Sequence, residues 1–208
     1  MRPRVYQTIH LFLLLLLISA CASSTRPEPA LSPNAVDMPQ ALSESESNVD
    51  ILANLPPVNC DAGLTPENQE GPYFKLNSPE NAYLFTDGMQ GKKLILAGQI
   101  LNKDCLPIPH VLIDFWQANA DGEYGNDGYT LRGHQYSDNK GRYYLETVYP
   151  GIYESRPIRH IHVKVTSPSG VVLTTQLYFP EQPVDGLTVQ MEDRGDHFLG
   201  IFNFVIQN

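Results

Sequence analysis

The strongest constraint on the fold is a series of short apolar segments rich in β-branched and aromatic residues, which favour strands. They occupy residues 92–100, 111–118, 142–148, 160–167, 171–179 and 198–207. Turn sequences such as SDNKG at 137–141 and SPSG at 167–170 separate them. No segment between them carries a long helical period. The pattern predicts an all-β chain folded as an antiparallel β-sandwich with long loops.

The first twenty residues differ in character from the rest of the chain. Arg2 and Arg4 precede an apolar run over 11–18 that is too short to span a bilayer comfortably. A basic start followed by a short apolar run is typical of an export signal, which we place at residues 1–20.

The residues around Cys21 refine this expectation. Ile18-Ser19-Ala20-Cys21 resembles the lipobox of bacterial lipoproteins, which implies cleavage before Cys21 and a lipid anchor on its sulfur. The alternative is an ordinary signal peptide followed by a chance cysteine. We therefore expect an exported protein of the bacterial cell envelope, anchored to the membrane through Cys21. Alanine at position 22 favours the outer membrane.

Residues 21–58 are dominated by serine, proline and acidic residues. Such a composition buries too little apolar surface to offset the entropy of ordering the chain. We predict a flexible tether over 21–58, with a short helix near 49–55, and a folded domain over 59–208 that is large enough for one core.

Charge argues against one class of partner. Removal of Arg2 and Arg4 would leave 12 basic and 23 acidic residues, a formal charge of −11. Such a surface repels nucleic acid, so we expect no nucleic-acid partner.

Two cysteines remain beyond Cys21, namely Cys60 and Cys105. An exported protein meets an oxidising compartment, so pairing is the economical expectation, and two free buried thiols are the alternative.

The segment RPIRHIHVKV contains His160 and His162, two residues apart in a predicted strand. Side chains alternate between the faces of a sheet, so both imidazoles should leave the same face. Zinc and copper sites also use such pairs, and a zinc or copper centre completed by His134 or His197 is one alternative.

Two tyrosines flank this strand in the sequence. Tyr153 follows a Pro-Gly turn seven residues before His160, and Tyr124 lies on a glycine-rich loop after the strand that holds Trp116. A phenol normally loses its proton near pH 10. If both phenols and both imidazoles converge, only a strongly Lewis-acidic cation would deprotonate the phenols at neutral pH. Anionic oxygen donors favour a trivalent ion, and Fe(III) suits such a set.

Several segments together resemble the intradiol ring-cleavage dioxygenases, the family of catechol 1,2-dioxygenase and protocatechuate 3,4-dioxygenase. The matching pieces are GPYF, DFWQANADGEY, SDNKGRYYLETVYPGIY, RHIHVKV and TQLYF, which together cover most of residues 65–179. The resemblance implies a non-haem Fe(III) cofactor held by Tyr124, Tyr153, His160 and His162. It also implies cleavage of a catechol-type diol by O2, between its two hydroxylated carbons, to a muconate-type diacid.

The same resemblance implies roles for further residues. Tyr153 would leave the metal and accept a substrate proton, and an arginine would stabilise developing negative charge. The motif RPIR offers Arg156 and Arg159, of which Arg159 is preferred because it directly precedes His160. Gln176 would hold the arginine or a water, with an ordinary strand glutamine as the alternative. Tyr73 would lie over the substrate pocket, with an aromatic residue packed on the sandwich at the start of the domain as the alternative.

One alternative needs no metal. The strands and turns also resemble prealbumin-like β-sandwich modules, which are non-catalytic binding or structural units. Their pattern does not require Tyr124 or the pair His160 and His162. The sequence leaves a homodimer open, because the helical dimerisation region of catechol 1,2-dioxygenases has no counterpart here.

Overall fold

The computed structural model describes residues 47–153 and 155–207. The expected signal over 1–20, the lipidation site Cys21 and most of the expected tether lie outside the described residues. Among the residues that are described, no helix is both long enough and apolar enough to cross a membrane.

Nine strands and one short helix are present in the described part of the chain. They are α1 (Asn48–Ala53), β1 (Lys93–Asn102), β2 (Leu112–Trp116), β3 (Arg132–Tyr136), β4 (Arg142–Val148), β5 (His160–Thr166), β6 (Val172–Tyr178), β7 (Gln190–Asp193), β8 (His197–Ile201) and β9 (Phe204–Ile206). One sheet has the order β4-β1-β8-β7 with β9 also on β1, and the other has the order β3-β2-β5-β6. The all-β architecture predicted from the sequence is confirmed.

The pairing within the first sheet differs from the antiparallel expectation. The second sheet is antiparallel throughout, whereas β1 pairs in parallel with both β8 and β9. The predicted strand over 198–207 is divided because the Oδ1 atom of Asn203 accepts the N–H of Gln99 at 2.8 Å, between the two paired stretches of β1. A side chain therefore replaces one backbone acceptor at the point where β8 ends and β9 begins.

The main core lies between the sheets. It is built from the inward-facing residues of both, including Leu94 and Leu96 of β1 and Ile113, Phe115 and Val163 from the opposite sheet. Alternating side chains of β1 face the two sides of the sheet, so Ile95 and Ala97 point outward and form a second, smaller cluster.

Helix α1 covers that outer cluster. Ile51, only 3% exposed, packs with Ile95, Ala97 and Tyr144. The helix starts with a capping box, in which Ser47 accepts from the backbone of Asp50 and the Asp50 carboxylate accepts from the backbone of Ser47. The predicted short helix is thus present. Leu52 and Leu55 pack against the same cluster and add to the apolar contact that holds the helix on the sheet.

Cys60 and Cys105 form a disulfide that joins the segment before the sandwich to the β1–β2 turn. The pairing expected from the sequence is therefore present in the structure.

Candidate metal centre

Strand β5 positions the two histidines. It pairs with β2 on one side and β6 on the other, so His160 and His162 lie inside the sheet and not at its edge. Both rings project from one face, with centroids 4.8 Å apart. They are 3% and 1% exposed, respectively. The alternation predicted for the H-x-H segment is observed.

The two tyrosine loops bring both phenols to these histidines. The Tyr124 ring lies 6.2 Å from that of Tyr153 and 6.4 Å from that of His162, measured between centroids. The rings of Tyr153 and His160 are 6.1 Å apart. The four residues chosen from the sequence therefore form one cluster.

Three polar atoms in this cluster are buried without a hydrogen-bond partner. They are the Tyr124 hydroxyl, Nε2 of His160 and Nδ1 of His162. Buried polar atoms are normally paired, so each unpaired one needs an explanation. Nitrogen and phenolic oxygen atoms left unpaired within one cluster are the kind of donor set that a ferric ion would use. The residues present therefore fit the metal that the family resemblance implies.

The other ring nitrogen of His160 explains its orientation. Nδ1 lies 2.8 Å from the carbonyl oxygen of Ile158, to which it can donate. Such a bond would place the proton on Nδ1 and leave the Nε2 lone pair free, as is usual for metal-binding histidines. The backbone of Gln69 acts to raise the pKa of His162, against the larger lowering effect of burial.

Burial sets the protonation of all four groups in the absence of a cation. It raises the pKa of the Tyr124 and Tyr153 phenols above the ordinary value. It lowers the pKa of His160, and it lowers the pKa of His162 to about 3, with the neighbouring His160 adding to the effect. The imidazoles are thus neutral and able to donate a lone pair at neutral pH. The phenols need a strong neighbouring positive charge to ionise.

Packing around the cluster holds the rings in place. Trp116 stacks on His162 with centroids 5.0 Å apart and ring planes 6° from parallel. Gly71 covers the same imidazole, and a Cβ at this position would lie 2.9 Å from its Cε1 atom. Tyr73 stacks on Tyr124 at 4.0 Å. Tyr73, predicted to lie over the substrate pocket, is therefore in contact with a candidate ligand.

The structure corrects the expected position of the arginine. Arg159, preferred on the sequence, donates to the carbonyl of Pro150 and lies over the Tyr149 ring at 5.1 Å. Arg156 instead follows Tyr153 in a tight turn, and its guanidinium acts on the phenol of Tyr153. A second turn, from the N–H of Ile158 to the carbonyl of Arg156, absorbs the additional residue of the RPIR motif. The arginine that directly precedes His160 in the sequence is therefore not the one that contacts the clustered tyrosine.

Gln176 holds this arginine. Its Oε1 atom accepts from Arg156 at 2.5 Å and its Nε2 donates to the carbonyl of Gln69 at 2.5 Å. Tyr178 completes the network, since its hydroxyl accepts from Arg156 and donates to Gln176, both at 3.0 Å. The alternation of β6 places Gln176 and Tyr178 on one face, a signal that would have identified Tyr178, which sequence reasoning missed.

The two remaining candidate histidines have partners elsewhere. The Nδ1 atom of His134 lies 2.8 Å from the carbonyl of Ser78, and that of His197 lies 2.8 Å from the carboxylate of Asp196. Neither contact involves His160 or His162. The structure does not bring together the histidines required for the alternative zinc or copper centre.

A pocket of about 400 Å³ opens beside the cluster. It is lined by Tyr73, Gly122, Glu123, Tyr124, Asn126 and Tyr153. A larger cavity of about 660 Å³ lies beside the disulfide, but its described lining contains none of the four clustered residues. Of these two cavities, the smaller is the one lined by candidate ligands, namely Tyr124 and Tyr153.

Comparison with known proteins identifies the class. A family model described as Dioxygenase matches residues 69–191, a range that contains all four clustered residues. The dioxygenase domain of a dioxygenase carbohydrate-binding protein fusion from Streptomyces sp. SirexAA-E is 40% identical. It matches with a TM-score of 0.67 over 69% of this chain and 98% of that domain.

Two further relatives define the family more closely. 3-Chlorocatechol 1,2-dioxygenase from Rhodococcus opacus 1CP is 26% identical, with a TM-score of 0.61 over 69% of this chain and 72% of its own. Hydroxyquinol 1,2-dioxygenase from Rhizobium sp. MTP-10005 is 26% identical over 59% of this chain and 50% of its own length. The chain belongs to the intradiol ring-cleavage dioxygenase family. It spans only about half of that hydroxyquinol enzyme.

Proposed function

We propose that this protein cleaves a catechol-type aromatic diol between its hydroxylated carbons, using O2 and a non-haem Fe(III) cofactor, to give a muconate-type diacid. The observation that carries the proposal is the convergence of Tyr124, Tyr153, His160 and His162, with three buried donor atoms left unpaired. A non-catalytic prealbumin-like module would have no need of such a cluster, because unpaired buried polar atoms reduce stability.

The residues around the proposed metal site have different roles. Fe(III) held by the two tyrosines and two histidines would supply the Lewis acidity that ionises the phenols and binds both oxygens of the diol. Tyr153 is the less enclosed phenol and has Arg156 beside it, so it is the group placed to accept a substrate proton. Arg156, oriented by Gln176 and Tyr178, provides fixed positive charge for negative charge that develops on the substrate.

The proposal is tested by metal analysis of the purified protein together with oxygen uptake on catechol, protocatechuate, hydroxyquinol and chlorinated analogues. We expect bound iron, uptake with at least one diol and a visible absorption band from ferric tyrosinate. Tyr153→Phe should weaken that band, because one phenolate donor is lost. The exposed Tyr136 provides the control, and Tyr136→Phe should leave the band unchanged. A colourless protein, inactive on every diol after iron loading, would refute the proposal.

We also propose that the protein is exported and anchored to the membrane of the cell envelope by a lipid on Cys21. The disulfide between Cys60 and Cys105 supports export, because such bonds persist in oxidising compartments. Mass spectrometry of the mature N-terminus should find a lipid-modified Cys21. An unmodified N-terminus, or one that begins before residue 21, would contradict the anchor.

We also propose that the protein forms a homodimer, which sedimentation of the purified protein would check.

A further inference from the structure

The pocket beside the cluster carries a charge that neither the family comparison nor the proposed chemistry uses. Glu123 is exposed and lines the pocket together with Tyr124 and Tyr153. It is the only charged residue among the described residues of that lining. A carboxylate at the entrance to a pocket favours or disfavours substrate substituents according to their charge.

The backbone holds Glu123 in a defined position. The Asn119 side chain accepts the N–H groups of Asp121 and Glu123, at 3.0 and 2.8 Å. The Glu123 carbonyl in turn accepts the N–H of Asn119 at 2.8 Å. Gly122 lies so close to the Tyr153 loop that a Cβ would be 2.0 Å from the carbonyl oxygen of Ile152. The two tyrosine loops are thus in backbone contact, and Glu123 lies where they meet.

The cations near the pocket are bonded to neutral acceptors rather than to Glu123. Arg132 donates to the carbonyls of Tyr73, Gly125 and Thr130. Lys75 donates to the carbonyls of Asn126 and Gly128, and Arg156 donates to Gln176 and Tyr178. No residue in the described part of the chain forms an ion pair with Glu123. Its carboxylate therefore belongs to the exposed part of the pocket lining and has no direct counter-charge among the described residues.

The pocket is consequently polarised. Arg156 places positive charge beside the phenols, where the two oxygens of a diol would bind, and Glu123 places negative charge at the entrance. A diol oriented by its oxygens would direct a ring substituent toward Glu123. Like charges there repel, and opposite charges attract.

We propose that Glu123 is a specificity-determining residue that selects neutral or cationic catechols and disfavours catechols with an anionic substituent. The inference rests on the proposed ring-cleavage function, because it assigns the substrate orientation that this function requires. For charges about 6 Å apart at an effective dielectric constant of about 40 to 80, the interaction corresponds to about threefold to tenfold in affinity.

The test compares catechol, its carboxylated analogue protocatechuate and the cationic dopamine, using wild type and Glu123→Gln. The variant should raise kcat/KM for protocatechuate relative to catechol by about threefold to tenfold, and lower the dopamine ratio by a similar factor. Added salt should reduce both effects. Asp104→Asn removes a charge at the opposite end of strand β2 from the Tyr124 loop, and should leave both ratios unchanged.

A binding measurement separates this inference from the proposed function. Trp116 is the single tryptophan of the chain and stacks on His162, so its fluorescence should report a bound diol without turnover. Absence of oxygen uptake with every diol would refute the function, while the fluorescence affinities would still test the role of Glu123. Affinity ratios that Glu123→Gln leaves unchanged, or shifts the same way for both charged diols, would overturn the inference.

Discussion

The contact between Gly71 and His162 gives the sharpest prediction about the site. Gly71 has a φ of +70°, and a Cβ there would lie 2.9 Å from Cε1 and 3.4 Å from Nε2 of the imidazole. The ring cannot retreat easily, because Trp116 stacks on it. The substitution Gly71→Ala should therefore disturb both the backbone and the candidate ligand.

Two costs combine in this variant. An alanine in the left-handed region costs about 1–2 kcal/mol, and overpacking a tight site costs about 1–3 kcal/mol more. Gly88 provides a matched control, since it has a φ of +80° but no atom within 4 Å of its Cβ position. Gly88→Ala should show only the first cost. The expected losses in the free energy of unfolding are thus about 2–5 kcal/mol for Gly71→Ala and about 1–2 kcal/mol for Gly88→Ala.

Urea-induced unfolding followed by Trp116 fluorescence measures both values. The native emission of Gly71→Ala should also shift, because Trp116 lies against the displaced imidazole, whereas that of Gly88→Ala should not. Losses that agree within about 0.5 kcal/mol, with unchanged native emission in both variants, would show that Gly71 does not restrain His162.

Two predictions concern the segment before the sandwich. Ile51→Ala should lower the free energy of unfolding by about 2–4 kcal/mol, whereas Val49→Ala on the same helix should have little effect because Val49 is 70% exposed; equal effects would mean that α1 is not docked. Replacing Cys60 and Cys105 together by serine opens a loop spanning 45 residues and should cost about 4 kcal/mol in the chain-entropy model. Unfolding of the wild type with and without reductant checks this value, and an unchanged midpoint would contradict it.

Strands with a strong apolar pattern could be predicted from the sequence to within a few residues, as β4 and β5 show. The missed strands are polar. β3 has the sequence RGHQY and β7 has the sequence QMED. Both lie at the edge of a sheet, where a strand can be polar because it is less enclosed than a central strand. The parallel pairing of β1 was also missed, because local periodicity reports the exposure of each strand but not its partner.

Site residues could be predicted from the sequence where their role depends on residue type. The prediction failed where the role depends on how the backbone turns. The two tyrosines and two histidines could be selected as donors that suit one metal. The choice between Arg156 and Arg159 depended on a turn around Ile158 that no spacing rule reveals. Glu123 and Tyr178 resemble ordinary surface and strand residues until neighbouring loops and strands place them beside the cluster.

The parallel pairing of β1 also bears on how the protein is assembled. Besides the antiparallel contact with β4, the strands that pair with β1 in the described part of the chain are β8 and β9. They follow roughly a hundred residues later in synthesis, and such distant contacts slow folding. When synthesis has reached His162, all four residues of the cluster are present, but the strands β8 and β9 that pair with one edge of β1 have not yet been made. Truncations that remove residues 197–206 should therefore abolish the fold even though no residue of the metal cluster is deleted.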